Sequence, residues 1–107
     1  MEFLNKVEIR GVVGIVRITK VADTETAQFS VMTEDVNRSK DGCAVVNCTW
    51  FSVRAWKGPG IVELSKITKD SWVEVHGKQR CRHYVGEDGI ERVCYEILAD
   101  TVLRADD

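Results

Sequence analysis

Apolar and polar residues alternate over most of this chain, with the period of strands that bury one face. Gly11 and Gly14 interrupt the first apolar run and indicate a bulge or bend, as in a strand that curls round a barrel. The charged segment Glu34–Gly42 predicts a mobile hairpin loop, and Gly86–Gly89 predicts a hairpin turn. The predicted strands are Lys6–Val21, Thr26–Thr33, Val46–Trp56, Trp72–Val85 and Glu91–Leu103.

One short helix is predicted between the third and fourth strands. Pro59 suits a helix start, and apolar residues then recur at helical spacing for about two turns. These residues are Ile61, Val62, Leu64 and Ile67. Five strands with one short helix after the third is the element order of the OB-fold, an all-β Greek-key barrel of five strands. The chain is therefore expected to form a single OB-fold domain over residues 1–107.

The third strand has an unusual polar face. Its core-facing side becomes steadily more apolar towards Ala55, whereas the opposite side carries Trp50, Arg54 and Trp56 beside small polar residues. Flat aromatic rings with an intervening cation are what a single-stranded nucleic acid requires. The alternative is packing, since a surface tryptophan is more often half-buried or at an interface. Trp72, at the start of the fourth strand, is assigned to packing or a subunit contact.

The fourth strand repeats this pattern with Arg80, Arg82 and Tyr84 on one face. Arginine can pair with phosphate through two hydrogen bonds and can also stack on a base. The competing interpretation is that the two arginines are solvated, salt-bridged edge charges. Other cations that would add salt-dependent phosphate contacts are Lys6, Arg10, Arg17, Lys20, Lys69, Lys78 and Arg92.

Composition narrows the class of protein. A chain of 107 residues, 44% hydrophobic and 30% charged, is typical of one soluble globular domain. The net charge of −2 neither favours nor excludes nucleic acid, because a local basic stripe suffices. No apolar run has the length of a membrane span, and the start lacks the apolar stretch of a signal peptide. A cytoplasmic protein is expected.

The four cysteines do not predict a metal site or a disulfide framework. None forms a Cys-x-x-Cys pair, so reduced strand cysteines acting as small hydrophobes are expected, with no metal and no cofactor. Cys81 and His83 share a strand face, but nothing adjacent activates them for nucleophilic catalysis. No enzyme signature emerges.

Taken together, the motifs resemble the bacterial single-stranded DNA-binding protein (SSB) family along nearly the whole chain. Single pieces are weak, but their order and spacing are specific. The matching pieces are Asn5-Lys6-Val7 with Gly11 and Gly14, Ala27–Val31, Thr49–Val53 with Trp56, Lys69-Asp70-Ser71 before Val73–Gly77, Arg80–Tyr84, Asp88-Gly89, Arg92, and Tyr95-Glu96-Ile97 with Ala99-Asp100.

The resemblance implies sequence-tolerant single-stranded DNA binding in replication, recombination or repair. It makes Trp50, Trp56 and Tyr84 the base-stacking residues. The backbone contacts that it implies are Lys6, Arg80, Arg82 and Arg92, followed by Lys69 and Arg17, and Arg54 joins them from the strand pattern. It also implies a homo-oligomer, a tetramer or dimer, with the N-terminal strand as the usual dimer edge.

Three departures from the family pattern are present. Val36 and Asn37 stand where an aromatic is expected near the end of the second strand, so one stacking platform is lost. The first inter-strand loop is shorter and lacks Asp-Pro-Glu. The chain stops at Arg104–Asp107 without the flexible, acid-tipped tail that recruits partner enzymes, so such recruitment is doubtful, and the chain is either shortened or a short paralogue.

Two alternatives stay open at this point. A primosomal OB-fold protein of the same lineage would bind a helicase-loading partner as well as DNA. A protein-interaction or oligomerisation OB domain would instead bury the aromatic residues in contacts.

Overall fold

Five long strands account for most of the computed structural model, which describes residues 1–105. Between the third and fourth strands lies a single 3-10 turn, Leu64–Lys66. The predicted terminal stretch Arg104–Asp107 extends past the described residues by two positions. The strands are β1 (Val7–Val21), β2 (Thr24–Arg38), β3 (Ala44–Trp56), β4 (Trp72–Val85) and β5 (Glu91–Arg104).

The strands close into a barrel in the order β1-β2-β3-β5-β4, and β4 pairs back onto β1. All pairings are antiparallel except the short parallel contact of β3 with β5, where Val53 lies beside Ile97 and Arg54 beside Leu98. This is the predicted OB-fold. Because β5 lies between β3 and β4, the two strands that carry the predicted binding residues lie on either side of a single strand.

The core of the barrel is filled by side chains from alternate positions of the strands, together with Leu64 and Ile67 from the segment between β3 and β4. Since the strand period is two, each strand buries its apolar phase and turns the other phase outwards. The buried apolar residues are Val13, Ala27, Phe29, Val31, Val53, Ala55, Leu64, Ile67, Val73, Val75, Ile97 and Val102. Within residues 1–105, no helix is long and apolar enough to cross a membrane.

A bulge in β1 confirms the bend predicted from the glycines. The pairing of β1 with β2 shifts register between Val13 and Val16, which frees the backbone at Gly14 and Ile15 from the regular ladder. The backbone N–H of Ile15 donates to the Ser30 hydroxyl at 2.9 Å. A side chain of β2 therefore satisfies a donor that the bulge leaves without a ladder partner.

The predicted short helix between β3 and β4 is present only as the 3-10 turn Leu64–Lys66, and its expected length of about two turns is wrong. Gly60 has φ +82, and the segment after it runs extended beside β5, with Ile61 bridged to Val102. Val62 N–H donates to the Val102 carbonyl and Val102 N–H to the Gly60 carbonyl, both at 2.9 Å. These bonds hold residues 60–62 alongside β5 as a bridge, so the chain winds into a turn only over Leu64–Lys66.

The predicted loop Glu34–Gly42 is mostly strand. β2 continues to Arg38 and pairs with β3 residue by residue as far as Ala44, so only residues 39–43 form the loop. The charged residues lie on a two-stranded ribbon that is largely exposed, which explains their polarity without a loop. Elsewhere the boundaries shift little: β2 begins at Thr24 and β5 ends at Arg104.

Candidate nucleic-acid interface

The outer surface of β3, β5 and β4 collects the predicted aromatic and basic residues. Residues out of phase with the buried Val53 and Ala55 point outwards from β3, and those out of phase with Val73 and Val75 point outwards from β4. Across β5, the outward positions lie directly beside those of β4. The cross-strand pairs are Arg80 with Glu96, Arg82 with Cys94, and Tyr84 with Arg92.

Three aromatic rings on this surface are partly open to solvent. Trp50 is 61% exposed, Trp56 37% and Tyr84 49%. Partial exposure leaves ring surface available for stacking while the remainder of the ring packs on the sheet. Two rings on β3 and one on β4 therefore lie on either side of β5, as base platforms would.

Between the rings, three arginines gather round one buried carboxylate. Arg80 donates to Glu96 Oε1 from Nε at 3.0 Å and from Nη2 at 2.7 Å. Arg54 Nε and Arg82 Nη1 each lie 3.5 Å from the same oxygen. The Glu96 side chain is only 3% exposed, so the guanidinium groups cover it. Three positive charges and one negative charge leave this arginine cluster (Arg54, Arg80, Arg82 and Glu96) with a net charge of +2.

The arginines of the cluster are paired with a carboxylate and are not free in solvent. They are salt-bridged, as the competing interpretation of Arg80 and Arg82 proposed, but their partner lies on the central strand of the surface and not at an edge. Arg80 has committed two N–H groups to Glu96, so only its other donors face outwards. Arg54 Nε is buried without a hydrogen-bond partner. The surface keeps its positive charge with its guanidinium groups held in place.

Glu96 is the residue that sequence reasoning missed. In the sequence it was noted only as part of the Tyr95-Glu96-Ile97 motif, and no role was assigned to it. The available signal was one carboxylate in an otherwise apolar part of the last strand. Interpreting that signal requires the register of β5 against β4, which no spacing within one strand supplies.

Arg17 extends the surface across β2 to β1. It lies opposite Gln28, which in turn lies opposite Arg54, so one row crosses three strands. Arg54 Nη2 approaches Gln28 Oε1 at 3.5 Å. A shallow groove of about 240 Å³ beside this row is lined by Ile15, Arg17, Gln28, Phe29, Ser30 and Ser52. The predicted Arg17 thus lies on the same face as Arg54.

The other predicted cations lie at the margins. Arg92 pairs with Asp88 in the β4–β5 turn at 2.5 Å, and this guanidinium lowers the pKa of the Asp88 carboxyl. Lys6 lies just before β1 and pairs with Glu8 at 2.9 Å. Lys69 lies in the loop before β4, off the strand face. The structure does not bring Lys6 or Lys69 into the arginine cluster.

The structure shows where the aromatic residue expected near the end of the second strand would lie. Val36 pairs with Val46 on the β2–β3 ribbon, in the same outward phase as Trp50, and Asn37 points to the opposite side. Val36 is 63% exposed. An aliphatic side chain therefore lies on the Trp50 side of the ribbon, where the sequence comparison led us to expect a ring.

The Cys81–His83 pair shares a face as predicted, with Sγ 3.7 Å from Nε2. His83 Nδ1 lies 3.3 Å from Glu91, and both of those side chains are more than half exposed. No grouping of three or more metal-ligating side chains is found among residues 1–105.

Comparison with known proteins identifies the family of this chain. Residues 4–105 match the sequence profile of the single-strand binding protein family. The chain belongs to that family. Two SSB proteins of Neisseria meningitidis, from serogroups A and B, are 29% identical over 72 residues, which are 67% of this chain. The aligned part is 41% of those relatives, so the chain spans less than half of their length. The resemblance seen in the sequence is confirmed.

Solved SSB structures share the fold. A Plasmodium falciparum SSB in complex with ssDNA superposes with a TM-score of 0.82 at 21% identity, covering 99% of this chain and 98% of that one. A Thermus aquaticus SSB deletion mutant gives 0.75 at 15% identity, covering 94% and 50%. A small SSB from Streptomyces coelicolor gives 0.66 at 16% identity, covering 92% of each chain. At these identities the superpositions show the fold alone.

Proposed function

We propose that this chain binds single-stranded DNA, without strong sequence preference and without catalysis, on the outer face of β3, β5 and β4. The observation that carries the proposal is the single surface on which Trp50, Trp56 and Tyr84 flank a cluster of net charge +2. Family membership and the Plasmodium falciparum SSB solved with ssDNA support it.

The mechanism combines stacking with phosphate neutralisation. Every base has a flat π-face, so rings that stack on bases tolerate any sequence, and each stacked base contributes about 1–3 kcal/mol. The arginine cluster supplies positive charge between the rings, where the backbone that links stacked bases would run. Glu96 is covered by guanidinium groups, so it does not present its negative charge to the phosphates. Arg17 would continue the path over β2.

Family membership also supports a proposed biological setting. A cytoplasmic homo-oligomer, tetramer or dimer, would let one strand of DNA pass over several barrels during replication, recombination or repair. The β1 edge is the expected dimer contact.

Anisotropy of a fluorescently labelled oligo-dT, titrated with protein at low salt, tests the site. Trp50→Ala and Trp56→Ala should each weaken binding by about 1–3 kcal/mol. Trp72→Ala is the matched control, because Trp72 is a half-exposed tryptophan at the far end of β4, eight residues from Arg80. If Trp72→Ala weakened binding as much as the other two variants, the assignment of the surface would be wrong. Absence of binding by the wild-type protein would favour a protein-interaction domain.

A further inference from the structure

The orientation of the Trp50 ring depends on Gly14, which lies two strands away on β1. An ideal Cβ built on Gly14 would lie 2.7 Å from Trp50 Cζ3 and 3.3 Å from Cη2. Carbon atoms in contact are normally about 3.5–4.0 Å apart. The far edge of the indole therefore occupies the space that a side chain at position 14 would fill.

The strand order shows what orientation this contact requires. Trp50 is on β3 and Gly14 on β1, with β2 between them. Neighbouring strands lie about 4.7–4.9 Å apart, so the ring must reach across most of two strand spacings. An indole standing upright on β3 would point away from the sheet and could not reach β1. The ring therefore lies across β2, with one face on the sheet and the other open to solvent, in agreement with its 61% exposure.

The β1 bulge supplies the space under the ring. The register shift between Val13 and Val16 places Gly14 in the bulge, and the Ser30 hydroxyl holds the neighbouring Ile15 N–H at 2.9 Å. The same hydroxyl lies 2.6 Å from the ideal Cβ position of Gly14. A side chain at position 14 would thus displace both the indole and the hydroxyl that caps the bulge.

We infer that Gly14 is a positioning residue for base stacking, because it leaves the space that keeps Trp50 flat with a single face open to a base. This inference rests on the proposed function of the surface. It assigns a role in DNA binding to a residue of β1 that lies outside the aromatic and basic set. It also predicts that Trp50 stacks one base, on its outer face, and does not intercalate between two.

The first test is a double-mutant cycle measured by anisotropy of labelled oligo-dT. Gly14→Ala should weaken binding about 5-fold or more, the lower bound for loss of one stacked base. In a Trp50→Ala background, Gly14→Ala should cause no further loss. The matched control is Gly58→Ala, since a Cβ there meets only the Trp56 carbonyl oxygen at 3.9 Å. Its affinity should equal that of wild type.

The outcomes separate this inference from the proposed function. If Trp50→Ala weakens binding but Gly14→Ala does not, or if the two losses multiply, Gly14 does not act through Trp50 and the inference fails alone. If Trp50→Ala binds as wild type, Trp50 is not part of the site, and both the site assignment and this inference fail.

A second measurement needs no DNA. In a Trp56→Phe/Trp72→Phe background, Trp50 is the sole tryptophan, and acrylamide quenching of its emission measures how much of the ring is open. Gly14→Ala should raise the quenching constant, whereas Gly58→Ala should leave it unchanged. An unchanged constant in both variants would overturn the inference. If Gly14→Ala does not fold, the inference requires that Gly14→Ala/Trp50→Ala folds. Failure of both would overturn it, because the strain would then lie at the Ser30 hydroxyl and not at the indole.

Discussion

Replacing Arg80 by alanine should destabilise the fold and not only weaken DNA binding. Arg80 makes two hydrogen bonds to Glu96, at 3.0 and 2.7 Å, and the Glu96 side chain is 3% exposed. Arg80→Ala would leave that carboxylate with Arg54 and Arg82, each 3.5 Å away. Removing one partner of a buried ion pair costs about 3–5 kcal/mol when nothing replaces it. Because two guanidinium groups remain, we expect a loss of about 2–3 kcal/mol in the free energy of unfolding.

Urea denaturation followed by circular dichroism measures this loss, and a double-mutant cycle assigns its cause. In a Glu96→Gln background the buried charge is gone, so Arg80→Ala should cost less than about 1 kcal/mol. The matched control is Arg10→Ala, because Arg10 pairs with Glu74 at 2.6 Å on a more exposed part of the barrel. That pair should contribute less than the Arg80–Glu96 pair, because solvent screens it. An equal cost of Arg80→Ala in both backgrounds, or a cost as small as that of Arg10→Ala, would refute the reasoning.

The same variant has a defined effect on DNA binding where it stays folded. The net charge of the cluster falls from +2 to +1, and the slope of log K against log salt should fall by about 0.7 for each phosphate that the protein no longer neutralises. Arg10 was expected from the sequence to contact phosphate, but it pairs with Glu74 across β1 and β4, outside the arginine cluster. Arg10→Ala should therefore keep the wild-type slope. Equal slopes for wild type and Arg80→Ala would remove Arg80 from the phosphate-binding set.

Three other predictions follow from the same geometry. Tyr84→Phe should bind oligo-dT as wild type, whereas Tyr84→Leu should lose about 1–3 kcal/mol, because stacking requires the ring and not the hydroxyl; equal loss in both would exclude stacking. Val36→Trp should strengthen binding by restoring a fourth ring on the Trp50 side, while Asn37→Trp, on the opposite side, should not; a gain from both would indicate non-specific contact. The Arg10 guanidinium lowers the pKa of Glu74 below its ordinary value of 4.5, and the Arg92 guanidinium lowers the pKa of Asp88 below its ordinary value of 3.8. Each ion pair therefore stabilises the fold above the ordinary pKa of its carboxyl, and this stabilisation is lost as pH falls through the lowered pKa. Urea midpoints should therefore fall on acidification below those values, less so in Glu74→Gln, and an identical fall in that variant would contradict this assignment.

The barrel was largely predictable because it depends on a period of two. Each strand alternates strongly enough to show its buried phase, and Gly14 marked the β1 bulge. The length of the helix after Pro59 was mispredicted because Ile61 and Val62 are apolar for a different reason: their side chains pack against the barrel core while their backbone pairs with Val102. Such long-range pairing leaves no trace in local spacing. The β2–β3 ribbon was missed because a strand pair exposed on both faces has the polarity of a loop.

For the candidate site too, features within one strand were predictable and features that depend on pairing between strands were not. Trp50, Arg54 and Trp56 share a face of one strand, so their grouping was visible in the sequence. The contribution of Glu96 was not visible, because it depends on how β5 aligns between β3 and β4. The dependence of Trp50 on Gly14 crosses two strands and was likewise hidden.

Titration of the unlabelled wild-type protein with oligo-dT at low salt, followed by tryptophan emission, tests the central claim most directly. Trp50 and Trp56 should stack on bases, so emission should fall to a saturable level and recover when salt is added. Emission that stays unchanged at low salt would contradict single-stranded DNA binding on this surface.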